Sequence, residues 1–365
     1  MKNHKFPYNW TLKDANFTKD KGTVFSCFAC GGGSTMGYKL AGFDVLGCNE
    51  IDPKMIEAYK TNHKPKYAYL EPIQTFKLRK DLPKELYNLD ILDGSPPCSS
   101  FSMAGNREKD WGKEKNFREG QAEQVLDNLF FDFIDLAKEL QPKVVVAENV
   151  SGLMMGSAKS YVIRIHEAFK KAGYKLRVEP YLLDASKMGV PQRRKRVFFI
   201  ALRNDLSENF MESVDMFQIA PKLDLEFNEK EIKYKEIERP GTIQDNIIHI
   251  PEGILPYWKK IKEGRSCSDA HEKGHYFQEL KLDRNRSLPT LRAGSNSYYH
   301  YKEERRLYDI EIIYGGSFPK DYNFINTKPI YLIGMSVPPV MVAQVASNIY
   351  EQWLSKINLQ PIKNV

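Results

Sequence analysis

Cysteine is scarce in this chain, with five among 365 residues, at positions 27, 30, 48, 98 and 267. An odd, sparse set excludes a disulfide framework and suits a reducing compartment. Cys27-Phe28-Ala29-Cys30 has CxxC spacing, but no second such pair or Cys/His pair follows at ligand spacing, so no metal site is expected. No apolar run is seen that approaches ~18 residues, so no membrane span or membrane partner is expected. Met1-Lys2-Asn3-His4 lacks the apolar core of a signal peptide, and a cytoplasmic location is expected. Internal repeats are absent. So are a GxGxxG fingerprint and a Walker lysine, which makes dinucleotides and ATP less attractive ligands.

What is present is globular. The chain is 42% hydrophobic and 12% aromatic, and Lys+Arg 54 against Asp+Glu 47 leaves a net charge of +7. That excess is compatible with a polyanionic partner without arguing for one. Short β-rich runs at 23–27, 45–50, 89–93, 143–148, 177–183 and 196–202 alternate with helical patterns. The clearest helical spacing places Val125, Leu129, Phe133, Leu136 and Leu140 on one face of 121–140, and another pattern runs from Tyr161 to Lys171 before Gly173. Strands alternating with helices predict an α/β fold with a doubly wound, mostly parallel sheet. The regularity fades after Arg203. Three parts are expected: a catalytic and cofactor-binding domain over 1–203, a smaller irregular domain over 204–320, and a segment over 321–365 returning to the first as strand, Pro338-Pro339 turn and helix.

Chemistry-bearing residues gather at predicted strand ends, where open α/β sheets bind ligands. After the first strand, Phe25 to Gly37 reads FSCFACGGGSTMG, a glycine turn opening a helix. Such a turn lets backbone approach a ligand and presents N–H groups at a helix start. The second strand ends in Asn49-Glu50-Ile51-Asp52, placing a carboxylate where ribose hydroxyls are held. Together they favour a nucleoside-containing cofactor. The third run ends in Gly94-Ser95-Pro96-Pro97-Cys98, whose prolines force a sharp turn that displays one thiol. Taken alone, that cysteine is as readily a buried hydrophobe as a nucleophile. Glu148 closes the next strand, and Arg194 and Arg196 stand at alternate positions before Val197, which on a strand would aim both guanidinium groups to one face. Residues 99–121 form a long polar stretch containing Ser100, Ser102 and Arg107, read as a loop that closes over substrate.

The glycine turn, GSPPCSSFS at 94–102, Glu148-Asn149-Val150, Gln192-Arg193-Arg194-Lys195-Arg196 and GMSVPP at 334–339 occur in the order found in the DNA (cytosine-5)-methyltransferases, which this chain resembles at both ends. The resemblance implies the S-adenosyl-L-methionine-dependent methyltransferase fold and methylation of carbon 5 of a flipped-out cytosine in double-stranded DNA. It implies Cys98 as nucleophile, Glu148 as the acid at N3, Arg196 on the cytosine O2, and Arg194 in support. Cofactor contacts would come from Phe28, Gly32, Gly33, Ser34, Glu50, Ile51, Pro97, Ser336 and Val337. Ser100, Ser102, Asn149, Gln192 and Arg292 would touch substrate. Cys30 replaces the first glycine of the usual FxGxGG turn, and Leu332-Ile333-Gly334-Met335 replaces the usual Gln-x-Gly-Asn.

In such enzymes the variable middle region reads the target sequence. Here it holds Arg284-Asn285-Arg286, Arg292, Tyr298-Tyr299-His300-Tyr301 and Arg305-Arg306, a mixture suited to nucleic acid. A restriction-modification or phage self-protection role is implied, with a cognate endonuclease sharing the site without direct contact. Transfer-RNA cytosine-5 methylation is the alternative enzyme reading, disfavoured because Cys267 is followed by Ser268-Asp269. A non-catalytic DNA-binding relative is a third, against which Cys98 and Glu148 both argue.

Overall fold

From its second residue onward, strand β1 (Thr23–Cys27) is buried, as a central strand covered on both faces must be. The computed structural model describes residues 4–97, 114–115, 124–125, 128–156, 158–213, 219–239, 248–294 and 296–357. By its packing the chain divides into two units. One, the sheet unit, comprises Asn16–Leu183, Lys195–Glu226 and Val342–Val365; the other comprises Met1–Ala15, Asp184–Arg194 and Phe227–Met341.

In the sheet unit, β1 leads through helix α1 (Gly33–Leu40) to β2 (Asp44–Glu50), then through α2 (Pro53–His63) to β3 (Tyr67–Leu70). Helix α2 begins cleanly because Asp52 caps it, its carboxylate accepting from the Lys54 and Met55 amides, and because Pro53 sits at the first helical position. The chain then forms β4 (Ile91–Gly94), α3 (Leu129–Leu140), β5 (Val144–Val150), α4 (Ala158–Lys171), β6 (Tyr174–Lys175), β7 (Tyr181–Asp184) and β8 (Lys195–Arg203). These make one eight-stranded sheet in the order β3-β2-β1-β4-β5-β8-β6, with β7 also paired to β8. Strands β3 to β5 along that path run parallel, while β8 is antiparallel to both β5 and β6. Phe25, Leu92, Val145, Phe133 and Phe199 lie in the apolar core of this unit.

The predicted α/β class and parallel sheet are what the chain forms. The differences are local. The helix expected over 121–140 begins at Leu129, and Gln124–Val125 instead pairs as a short antiparallel strand with Glu114–Lys115. The strand expected over 177–183 covers only Tyr181–Asp184.

The second unit holds α5 (Asp309–Gly315) and α6 (Pro329–Met335), and α7 (Pro339–Ile349) starts in it and runs past its boundary. The strand expected from Ile330 is therefore a helix. Pro329 at its first position favours helical entry. Its Gly334 sits so close to the neighbouring chain that a Cβ there would fall 2.2 Å from the Ala293 amide nitrogen. Ile250, Ile254, Trp258, Ile261, Cys267 and Tyr299 form a separate apolar cluster here. Residues 184–194 and 321–341 pack with this unit, and 204–226 with the sheet. The helical run Pro329–Ile357 is the one stretch among the described residues long and apolar enough to cross a membrane. Of its apolar 18-residue stretch 83% is buried within the protein, which is how a core helix meets that criterion.

Candidate active site

Strand order reverses between β1 and β4: β2 and β3 lie on one side of β1, β5 on the far side of β4. In open α/β sheets such a reversal is where the helices of the two halves diverge and where ligands bind, at the carboxyl ends of the strands. The sequence-predicted residues of the sheet unit collect at that edge. Ser26 pairs with both Cys48 and Asp93, and Asp93 in turn with Val146. Because strand side chains alternate, the next positions on the same face are Glu50 on β2 and Glu148 on β5, while Phe28, just past the end of β1, packs on the other face against Phe133.

The glycine turn is built from left-handed residues at alternate positions: Phe28 at φ 53°, Cys30 at φ 49° and Gly32 at φ 86°. Cys30 thus occupies a conformation that favours glycine, which accounts for the glycine usual there. At Gly32 a Cβ would lie 2.2 Å from His63 Nε2, so no larger residue fits. Gly33 and Ser34 open α1 immediately after. Burial presses the His63 ring to a pKa of about 3, and its Nε2 bonds the Gly31 carbonyl at 3.2 Å. Glu50 closes the turn from below. Its carboxylate accepts from the amides of Cys30 (2.7 Å), Ile51 (2.8 Å) and Asp52 (2.9 Å). Burial raises its pKa, and those backbone bonds oppose the rise.

At the end of β5, Glu148 forms an ion pair with Arg196 Nε at 2.9 Å, with the side chains only 10% and 14% exposed. Burial lowers the Arg196 pKa and the Glu148 charge counters it. The neighbouring Asn149 spends both ends of its amide on backbone: Nδ2 donates to the Pro96 carbonyl at 3.0 Å, and Oδ1 accepts from Val150. One residue from Glu148, it therefore grips the turn that Pro96 and Pro97 make. Cys98, Ser100, Ser102 and Arg107 fall outside the described residues, as does the closing-loop reading for 99–121 apart from the Glu114–Lys115 pairing.

In the second unit, the expected convergence of Arg194 and Arg196 does not occur. Arg194 precedes the strand, is buried, and donates to the carbonyls of Leu291, Gly334 and Ser336 at 2.9–3.0 Å. Gln192 is 1% exposed and bridges the Gly315 carbonyl and the Leu291 amide. Ser336 and Val337 are buried, the Ser336 hydroxyl donating to the Leu332 carbonyl. Arg292 is held by the Tyr298 hydroxyl and the Gln278 carbonyl.

Much of the basic and aromatic stretch read as nucleic-acid chemistry is core. Tyr298, Tyr299, His300 and Arg305 are each at most 2% exposed, and Arg305 makes a two-pronged ion pair with the fully buried Glu311. Aromatic residues exposed in this unit lie elsewhere. Tyr257, His271 and Tyr276 cluster with ring centroids 4.9–5.5 Å apart, and Phe277 beside them is 63% exposed.

Sequence reasoning also missed Asp93. It is 4% exposed and accepts from Ser26 Oγ at 3.0 Å and from the Tyr38 hydroxyl at 3.2 Å. An acidic residue inside a predicted buried strand, five positions before the cysteine, was the available signal.

A family model described as C-5 cytosine-specific DNA methylase matches residues 22–351. The chain is 30% identical over 254 residues to the type II methyltransferase M.FnuDI of Fusobacterium nucleatum, covering 70% of this chain and 62%, under two thirds, of that protein. It is 25% identical over 341 residues to the type II methyltransferase M1.HphI of Haemophilus parahaemolyticus, covering 89% and 85%. A solved structure from an E. coli prophage, titled as a DNA modification methyltransferase, matches with a TM-score of 0.66 at 20% identity. It covers 90% of this chain and 99% of that one, a likeness of fold.

Proposed function

The chain belongs to the C-5 cytosine-specific DNA methylase family, and on that premise we propose that it methylates carbon 5 of a flipped-out cytosine at a specific site in double-stranded DNA. The observation that carries this reading is the bond from Asn149 to the Pro96 carbonyl. It ties the strand that carries Glu148 to the turn that runs into Cys98.

The family and fold imply S-adenosyl-L-methionine as cofactor, and the turn fits such a group. Its backbone is held in left-handed conformations, Gly32 leaves no room for a side chain, and Glu50 has three of the roughly four acceptor positions of a carboxylate engaged by backbone. Phe28, Gly32, Gly33, Ser34, Glu50, Ile51 and Pro97 would hold it in the sheet unit, with Ser336 and Val337 assigned by resemblance. When bound it supplies an electrophilic methyl group.

The remaining chemistry belongs to the protein. The Cys98 thiolate bonds to carbon 6 of cytosine, and Glu148 delivers a proton to N3, so that electron density reaches carbon 5. Arg196 holds the Glu148 carboxylate in place and, by resemblance, would contact the base at O2. After methylation a water molecule takes the carbon-5 proton, N3 returns its proton to Glu148, and the sulfur–carbon bond breaks, releasing the Cys98 thiolate. Burial argues against three of the other four thiols: Cys27, Cys48 and Cys267 are buried with pKa values pushed up, away from thiolate, while Cys30 is part of the cofactor turn. Asn149, Gln192 and Arg194, bonded to backbone, act by positioning, while Ser100, Ser102 and Arg292 remain proposed DNA contacts.

Residues 204–320 are proposed to read the target, and the exposed Tyr276 and Phe277 are the side chains there best suited to stack on bases. Relatives named as type II methyltransferases support a restriction-modification setting, in which a cognate endonuclease shares the site without touching this chain. Base-resolution 5-methylcytosine mapping of DNA from cells expressing the wild type or Cys98→Ser tests the whole reading. One short recurring methylated site in the wild type alone is the expected result. Methylation by both proteins would overturn the covalent route, and methylation by neither would overturn the activity.

A further inference from the structure

The chemistry above leaves one buried titratable group of the sheet unit unused. Asp93 lies on β4 in the row immediately beneath Glu50 and Glu148, directly opposite Ser26 on β1 and Val146 on β5. Among the described residues its hydrogen-bond partners are hydroxyls rather than a cation: Ser26 at 3.0 Å and Tyr38 at 3.2 Å. The network continues through Thr35, whose hydroxyl lies 3.5 Å from Ser26 Oγ and 2.8 Å from Tyr59 of α2. Burying a carboxylate without a cation is costly. A hydrophobic residue would satisfy the core better, so the charge calls for a reason beyond folding.

We propose that Asp93 is a positioning residue for the cofactor turn, its carboxylate tying β1 and the first turns of α1 to the strand that leads into Pro96, Pro97 and Cys98. This rests on the reading that the turn holds S-adenosyl-L-methionine. Ser26 precedes the turn, Tyr38 follows it, and Asp93 binds both, so the turn is stapled from both sides to β4. Hydrogen bonds to a charged acceptor are roughly twice as strong as neutral ones. The staple is therefore tighter when Asp93 is ionised.

Burial pushes Asp93 up to about 7; the charge of Glu148 pushes the same way, and bonds from Ser26, Tyr38 and Ser34 push down. The titratable groups that face it are Cys27 on β1 and Tyr38 on α1, both driven well up by burial and so neutral, and Glu148 on β5. From α3, the group packed against neighbouring Gly94 is the apolar ring of Phe133.

The test uses the whole protein and S-adenosylhomocysteine as probe, with affinity read by calorimetry at several pH values beside thermal unfolding. Wild-type affinity is expected to rise about tenfold between roughly pH 6 and pH 8 as the carboxylate ionises. Asp93→Asn should bind about tenfold more weakly at the upper pH and show no such rise, while unfolding no earlier than the wild type. Ser26→Ala and Tyr38→Phe leave the carboxylate but remove donors, and should weaken binding and move its midpoint to higher pH. Wild-type affinity and pH response in Asp93→Asn would overturn the proposal, as would losses that only track thermal destabilisation across all three variants. A wild type that binds no S-adenosylhomocysteine at any pH would instead overturn the cofactor reading on which the proposal stands.

Discussion

Glu148 and Arg196 illustrate how much of a site one residue can carry. Their pair is nearly dry, so removing either partner strands the other. Arg196→Ala should therefore cost about 3–5 kcal/mol of unfolding free energy by leaving an uncompensated carboxylate, a loss that denaturant titration reads directly. Glu148→Gln keeps the shape and removes the acid. It should retain S-adenosylhomocysteine binding while methyl transfer drops by about 10²–10⁴-fold, measured with tritiated cofactor on substrate DNA. Carboxylates were legible in the sequence because a charge at the end of an apolar run stands out, as at Glu50 and Glu148. Gln192 and Arg305 were not legible as positioning groups, and the supporting role of Arg194 came from the resemblance alone. Their partners are carbonyls or a carboxylate from distant or separately folded segments, and nothing in a local pattern announces a buried polar side chain that is satisfied.

Elements were read best where one period dominated. The strands at Thr23–Cys27 and Lys195–Arg203 lie where alternation and β-branched content placed them, to within a residue or so. The expected strand from Ile330 failed because a short run rich in isoleucine and leucine fits either a strand or a buried helix, and Pro329 with close packing at Gly334 decided for helix. The glycine turn was legible as a turn, but its geometry was not. Its left-handed residues at 28, 30 and 32 make one specific cradle, and only the last is glycine. Gly32→Ala combines a left-handed alanine with a 2.2 Å approach to His63. It should lower stability by at least ~1–2 kcal/mol and weaken S-adenosylhomocysteine binding, as unfolding curves and calorimetry would register.

For the molecule as a whole, acid should be the stress it tolerates least. His63 and His300, one in each unit, are held at about 3 and about 4 by burial. Both are neutral when folded, whereas the unfolded chain protonates them below about 6.5. The unfolded state then binds protons that the folded state refuses, so stability falls as pH drops from about 6.5 towards 4. A thermal-unfolding series against pH should show that decline, and His300→Asn, which keeps an acceptor for the amides of Lys302 and Glu303, should flatten it. Asp93 acts in the opposite sense. Its raised value means the folded state favours the proton, so its contribution fades as pH rises through about 7.

The interleaving of the two units, each assembled from separated stretches of chain, bears on how the protein is made. Strand β5 emerges from the ribosome before β8, its antiparallel neighbour, and the sheet unit also needs residues from Val342 onward. At about 5–20 residues per second, roughly 8–30 seconds separate Leu183 from Val342. The edge of β5 stays open until Arg203 has emerged, and for the rest of that interval the sheet unit lacks its last segment, Val342–Val365. Nascent-chain protection by chaperones, rather than refolding speed in dilute solution, should set the yield of active protein.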